Sequence, residues 1–182
     1  MLEILTWKED LLPGNIHNKS ANLHLTICIP GLAERVVQEI IPVLPIAKLV
    51  TFSLGIELDE KFLVETFGSL PQLQNITSVG ECTNNLLKAL MHKPSDPLAS
   101  QSISFPSLQS MKITGVMFSP GNHGFSVNYL QECLKERRDR YAQIRKLALA
   151  DCLFLYEEQV ADLEEIVPEV DWDGEQKYCL EE

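Results

Sequence analysis

Residues 144–154, IRKLALADCLF, decide the fold because their apolar positions change spacing within one short stretch. Ile144, Leu147 and Leu149 are offset by three positions and then by two, and Cys152 and Phe154 follow. Simple alternation would predict an ordinary half-buried strand. The altered spacing predicts a strand with apolar anchor residues before, within and after it. Such a spacing is informative only if it recurs elsewhere in the chain.

Earlier parts of the chain repeat these offsets. Residues 46–58 (IAKLVTFSLGIEL), 70–82 (LPQLQNITSVGEC) and 105–118 (FPSLQSMKITGVMF) carry the three-then-two spacing, and residues 22–31 (NLHLTICIPG) show its alternating part. The predicted anchors are Leu49, Phe52 and Leu54; Leu73, Ile76 and Ser78, the degenerate case; Leu108, Met111 and Ile113; and Leu23, Leu25 and Ile27. This pattern is typical of leucine-rich repeats.

The units differ in length. Successive first anchors lie 24, 35 and 36 residues apart, from Leu49 to Leu73, Leu108 and Ile144. Only the first distance lies within the usual range for such repeats. The turn-rich segments KPSDPLASQS (93–102) and SPGNHG (119–124) predict inserted loops in the longer units.

Helix-like periodicity separates the strand-like segments. Five helices are predicted. Three have predicted ranges, 32–44, 127–138 (capped by Ser126) and 156–167, and two have only a predicted start, one capped by Asp59 and one opened by Asn84 or Asn85. Residues 169–172 are predicted to form a final edge strand. We therefore predict an α/β leucine-rich-repeat solenoid of about five strand–helix units with a curved parallel sheet. It would span residues 1–172, followed by an acidic tail at 173–182. The competing arrangement is a doubly wound α/β sheet, whose strands would be apolar on both faces.

Composition excludes several classes of protein. The chain has 182 residues, 45% of them hydrophobic, and a net charge of −11, which disfavours nucleic-acid binding. It lacks a long apolar run and a secretory leader, so we expect a cytoplasmic or nuclear protein without membrane contact. Basic residues cluster between Lys135 and Lys146, and acidic residues dominate from Glu157 onward. Such opposed blocks usually solvate a surface or pair with each other, and a site for a charged partner is the alternative.

No catalytic or metal-binding constellation emerges from the reactive side chains. The five cysteines, Cys28, Cys82, Cys133, Cys152 and Cys179, are widely spaced and predict reduced residues rather than disulfides or metal ligands. The histidines, His17, His24, His92 and His123, lack metal-ligand spacing. His123 lies in a predicted surface turn. We therefore predict no enzymatic activity, cofactor or metal.

The remaining candidate is a protein-binding surface on the strands. Residues between the apolar anchors should point outward from the concave face of a repeat sheet. The predicted contact residues are Lys48, Ser53, Gln72, Gln74, Thr77, Gln109, Lys112 and Lys146, with Val50, Ala148 and Ala150 beside them. They are polar and mostly small, so the face could equally be solvated scaffold.

The carboxy-terminal half resembles a known family. A helix with Cys133–Leu134, a strand ending in Asp151–Cys152, a helix ending in Ile166–Val167 and the segment VDWDG at 170–174 are similar to the end of fungal, mushroom-type F-box/leucine-rich-repeat proteins. The resemblance extends more loosely over residues 22–174. That family carries an amino-terminal helical F-box that docks a Skp-type adaptor. Residues 1–16, MLEILTWKEDLLPGNI, do not match it, so we expect a fragment or a shortened paralogue.

The resemblance implies that the repeats select substrates for a ubiquitin ligase and that a Skp-type adaptor is recruited only if an F-box is supplied elsewhere. Two other functions stay open. One is a free-standing scaffold or adaptor without a ligase link. The other is a small α/β hydrolase-like enzyme, which would require a deep pocket near His123 or a cysteine.

Overall fold

The computed structural model describes residues 2–3, 23–27, 39, 41, 44–93, 103–118 and 125–174. The strands are β1 (Leu2–Glu3), β2 (Leu23–Ile27), β3 (Leu49–Leu54), β4 (Asn75–Val79), β5 (Ser110–Thr114), β6 (Lys146–Ala150) and β7 (Glu169–Trp172). The α-helices are α1 (Glu60–Phe67), α2 (Cys82–Met91), α3 (Val127–Asp139) and α4 (Glu157–Glu164). Of the predicted helix at 32–44, only residues 39, 41 and 44 are described. Residues 94–102 of the predicted insert at 93–102, the insert at 119–124 and the acidic tail from residue 175 lie outside the described residues.

The described strands form one sheet in consecutive order. β1 pairs antiparallel with β2, and every pair from β2 to β7 is parallel. The pairing aligns one row of predicted anchors across the sheet: Leu25, Phe52, Ile76, Met111, Leu147 and then Val170. The predicted α/β class with a parallel sheet is therefore confirmed, and so is the edge strand at Glu169–Trp172.

One face of this sheet forms the core. Strand residues alternate between buried and accessible, as in β6, where Leu147 and Leu149 are buried and Ala148 is not. The anchors before the strands, Leu73, Leu108 and Ile144, are also at most 1% exposed. Helices α1 to α4 each contact the next helix in sequence. A doubly wound sheet would bury both faces, so the burial pattern contradicts that competing arrangement for the described strands.

The degenerate repeat places a polar residue in the core. Ser78 is fully buried, and its hydroxyl lies 2.8 Å from the hydroxyl of Thr83 at the start of α2. Cys82 lies 3.4 Å away and donates its thiol hydrogen to the carbonyl of Leu54 on the neighbouring strand. These contacts satisfy the buried serine and draw the beginning of α2 against β4. The helix consequently starts at Cys82 rather than at the predicted Asn84 or Asn85.

The other helix boundaries depend on local capping. The Asp59 side chain accepts the amide hydrogen of Lys61 at 2.8 Å, which confirms the predicted cap of α1. Ser126 precedes α3 as predicted, but its side chain makes no capping bond. Helix α4 ends at Glu164, so Ile166 and Val167 are buried beyond the helix. The last anchor of the opening motif was also misplaced: Leu155 is fully buried, whereas Phe154 is only partly so.

Left-handed residues recur where the strands end. Gly80, Gly115, Asp151 and Gly174 follow β4, β5, β6 and β7 at corresponding positions, with φ angles of 66°, 66°, 52° and 71°. Amide hydrogens join successive units, because Gly80 donates to the Thr114 carbonyl and Gly115 to the Ala150 carbonyl. Asp151 is an L-residue type that tolerates this conformation. The repeated geometry turns the chain out of each strand in the same direction.

Replacing Gly115 with alanine should lower the free energy of unfolding by about 1 kcal/mol. A Cβ atom there would approach nothing closer than Val79 Cγ1 at 4.0 Å, so the cost comes from the positive φ and not from a clash. Chemical denaturation followed by circular dichroism measures the loss. Gly115→Asn is the matched control and should lose clearly less, because asparagine adopts this conformation more readily. Equal losses in both variants would contradict the backbone explanation.

Arg137 is an exception to the prediction that the basic cluster solvates a surface or pairs with the acidic block. Its side chain is 1% exposed at the end of α3. The guanidinium donates at 2.8 Å to the carbonyls of both Ser104 and Phe105 in the segment before β5. Burial lowers its pKa to about 10. The Arg137 side chain therefore holds the segment that contains Ser104 and Phe105 against α3. In contrast, Lys135, Arg138 and Arg145 are exposed.

Candidate functional site

The second face of the sheet is accessible and carries two rows of aligned side chains. We call it the open face. Its first row runs Thr51, Asn75, Ser110, Lys146 and Glu169, and its second runs Ser53, Thr77, Lys112, Ala148 and Asp171. All ten are half-buried or exposed. Because the strands are in register, neighbouring side chains within a row lie about 5 Å apart and present a continuous surface.

Chemically, the open face changes along the sheet. From β3 to β5 the rows are small and uncharged except for Lys112, and the Asn75 amide donates to the Thr51 hydroxyl at 3.4 Å. Towards β7 they become charged. Lys146 pairs with Glu169, and the hydrogen bond to Glu169 raises the pKa of Lys146. The surface is therefore shallow and uncharged near β3, and Lys112 and the residues near β7 add charged groups.

The predicted contact residues divide into two groups. Ser53, Thr77, Lys112 and Lys146 lie on the open face, as do Ala148 and Ala150. Gln74 and Gln109 are exposed just before β4 and β5, where the Gln74 carbonyl accepts the amides of Gln109 and Ser110. Lys48 and Gln72 are exposed in the connections before β3 and β4, and the Val50 carbonyl accepts the Gln74 amide. The structure thus unites half of the predicted set on one surface and leaves the rest at its amino-terminal edge.

The first row of the open face was predicted only at Lys146. Its residues Thr51, Asn75 and Ser110 were not among the predicted contacts, although each lies two positions before a predicted one. The available signal was the period of two along a strand.

A hollow of about 680 Å³ lies at the carboxyl ends of the strands. Its acidic lining residues, Glu57, Glu81 and Asp151, follow β3, β4 and β6. Asn84 and Asn85 of α2 border it, and Met117 contributes an apolar side chain that is 49% exposed. Neither a thiol nor an imidazole is among the described residues that line it. Its carboxylates and amides can accept hydrogen-bond donors and cations.

A smaller hollow of about 320 Å³ lies at the opposite edge, where β5 and β6 begin. It is lined by Arg138 and Arg145, by Gln109 and Gln143, and by Tyr141, which is 99% exposed. The two edges therefore differ in charge. Helices run back from the carboxyl edge to the amino edge, so acidic residues near helix starts and basic residues near helix ends also complement the helix dipoles.

The described cysteines and His92 line neither of the two hollows. Cys82, Cys133 and Cys152 are buried free thiols, and burial raises the pKa of Cys133 to about 12 and that of Cys152 to about 11. A thiol with so high a pKa is a poor nucleophile at neutral pH. His92 contacts Glu60 at 3.0 Å. Among the described residues, no three His, Cys, Asp or Glu side chains form a metal-binding group; His17, His123, Cys28 and Cys179 lie outside them, and so does the side chain of His24.

None of the described helices has the length and apolar character needed to cross a membrane. Comparison of the chain with models of known protein families, with curated proteins and with solved structures finds no match.

Proposed function

We propose that this chain is a non-enzymatic leucine-rich-repeat domain that holds a protein partner on its open face. The observation that carries the proposal is the accessibility of one side of the parallel sheet from β3 to β7, with two aligned rows of side chains that are mostly small near β3 and charged near β7. A sheet covered on one face only presents a broad and rigid surface. Such surfaces suit the recognition of other proteins better than the enclosure of a small molecule.

Three features support a repeat solenoid as the architecture. The strands follow one another in sequence order, and each of β3 to β6 is followed by a helix. The predicted anchors are buried at corresponding positions in successive units. Left-handed residues also recur after β4 to β7. In such a stack each unit completes the core of its neighbour, which explains how short strand–helix pairs remain folded.

The resemblance to F-box/leucine-rich-repeat proteins extends the proposal to substrate recognition for a ubiquitin ligase. In that role the domain positions a target protein and performs no chemistry. A Skp-type adaptor would be engaged only through an F-box supplied by another segment or protein. If that link fails, the same surface belongs to a free-standing adaptor.

Reversing the charge of Lys112 tests the open face. The side chain is exposed in the centre of the second row, so Lys112→Glu should change the free energy of unfolding by less than about 0.5 kcal/mol. Capture from fungal lysate, quantified by mass spectrometry, should show proteins that bind the wild-type chain and are depleted about tenfold with the variant. Lys88→Glu is the matched control, since Lys88 is exposed on α2, away from the open face. Equal depletion by both variants, or by neither, would contradict the proposal.

A separate experiment tests the ligase link. The chain is used for capture with and without a fused F-box module. We expect the Skp-type adaptor and a cullin only with the module, together with a common set of partners in both samples. Partners without any ubiquitylation by the fused, reconstituted ligase would favour the free-standing adaptor.

A further inference from the structure

Tyr141 combines full exposure with a strained backbone. Its side chain is 99% exposed and its φ angle is 60°. It follows Arg140, the last residue of the α3 turn, and its amide donates to the Arg138 carbonyl, while the Ala142 amide donates to the Arg137 carbonyl. These two bonds form a Schellman motif, in which the residue at the position of Tyr141 is usually glycine. A tyrosine there costs folding free energy that a glycine would not.

Phe105 shows how such a cost is normally offset. It stands three residues before the anchor Leu108, as Tyr141 stands three residues before the anchor Ile144, and its φ angle is 57°. The Phe105 side chain, however, is fully buried and packs in the core. Its hydrophobic burial compensates for the left-handed backbone. Tyr141 gains no comparable burial within the described chain, so its ring is available to something outside it.

The surroundings of Tyr141 indicate the chemistry of that partner. Its side chain borders the hollow of about 320 Å³ together with Arg138 and Arg145, and Gln109 and Gln143 supply amides. Among the described residues, the contacts of the Arg138 guanidinium are long, 3.8 Å to the Asp139 carboxylate and 3.4 Å to the Glu165 carbonyl. Tyrosine and arginine are the residue types most often found at the energetic centre of protein interfaces. Two guanidinium groups beside an aromatic ring match carboxylates next to an apolar side chain.

We infer that this amino-edge hollow is a second protein-binding site, which holds a carboxylate-rich segment of a partner between Arg138 and Arg145 with its apolar side chain against Tyr141. A nucleic acid is the less favoured anion, because the chain as a whole carries a charge of −11 and repels a long polyanion. The site is separate from the open face, and its existence does not depend on that face binding anything.

Peptide selection on the full chain tests the inference. A random peptide phage library is selected on the immobilised chain, and the dissociation constants of enriched peptides are measured by fluorescence polarisation. We expect enriched peptides to carry several Asp or Glu residues beside an apolar one. Tyr141→Gly should weaken their binding about tenfold or more while raising the Tm by about 2–4 °C. Tyr141→Phe should bind nearly as well as the wild type, and the double variant Arg138→Glu, Arg145→Glu should not bind.

The controls separate this site from the other proposal. Lys112→Glu, on the open face, and Lys88→Glu, on α2, should leave the affinity of the acidic peptides unchanged. The inference is overturned if selection yields no peptides or non-acidic ones, or if Tyr141→Gly binds like the wild type. Binding of single-stranded homopolymeric RNA that depends on Tyr141 and the two arginines would also overturn it, in favour of a nucleic-acid site.

Discussion

Arg137→Ala is expected to lower the free energy of unfolding by about 4 kcal/mol, the largest effect of any single substitution considered. The guanidinium is 1% exposed and donates to the carbonyls of Ser104 and Phe105. The Phe105 carbonyl keeps the Leu108 amide as a second donor, so the loss of a hydrogen bond falls mainly on Ser104. Alanine also leaves a cavity at one of the largest fully buried side chains of the chain. Urea denaturation followed by circular dichroism measures the change.

Two further variants distinguish the contributions. Arg137→Met fills most of the volume but supplies no donor, so its loss should lie between those of the wild type and alanine, near 2 kcal/mol. Arg138→Ala is the matched control, because Arg138 is exposed one position further along α3, and it should change stability by less than about 0.5 kcal/mol. If Arg137→Ala were no more destabilising than Arg138→Ala, Arg137 would not fasten the loop as described.

The strands were predictable because burial of one face of the sheet requires apolar residues at regular spacing in the sequence. The offsets of Leu108, Met111 and Ile113 place two residues inside a strand and one before it, and the structure buries all three. The same reasoning found β7 with its correct bounds. The start of α2 was predicted wrongly. Cys82 and Thr83 belong to the helix because of contacts with β4, and no capping residue in the local sequence indicates this.

Arg137 and Tyr141 were beyond sequence reasoning for different reasons. The acceptors of Arg137 lie 33 and 32 residues earlier in the chain, so nothing near the arginine distinguishes it from its exposed neighbours. A glycine at the position of Tyr141 would have been a sequence signal for the end of α3. A tyrosine gives no such signal, so the left-handed turn could not be predicted. Half of the predicted contact residues lie on the open face, and Thr77 and Lys112 among them follow from strand alternation. Neither hollow could be predicted, because each is lined by residues from several connections that form no contiguous sequence pattern.

Raising the pH above 9 is expected to destabilise the chain steeply through its buried thiols. Burial raises the pKa of Cys133 to about 12 and of Cys152 to about 11, from an ordinary value of 9.0, and also raises that of Cys82. Between pH 9 and 10 the unfolded chain therefore releases these thiol protons while the folded chain keeps them. The folded state then binds more protons, so stability falls as pH rises. For each such thiol the slope grows from about 0.7 kcal/mol per pH unit at pH 9, where half of the unfolded thiol is ionised, towards about 1.4 kcal/mol per pH unit above pH 10.

The ionisation of Arg137 sets the upper limit of the pH range in which the effect of the thiols on stability can be measured. It lies one helical turn after Cys133 in α3, and burial lowers its pKa to about 10 from 12.5. Between those values the folded state releases a guanidinium proton that the unfolded state keeps, so its contribution to stability rises with pH. Above pH 10 the arginine therefore opposes the effect of the thiols. Arg137 is present in both the wild type and a cysteine variant, so the difference between their slopes from pH 9 to 10 reports the thiol.

Cys133→Ala isolates one thiol within that range. The variant should lose about 1–2 kcal/mol at pH 7, where the thiol only fills space. From pH 9 to pH 10 its unfolding free energy should fall by about 1 kcal/mol less than that of the wild type. Urea titrations at closely spaced pH values under reducing conditions give both slopes. Parallel curves for the two proteins would mean that the Cys133 thiol ionises as readily in the folded chain as in the unfolded one, against its full burial between α3 and the sheet.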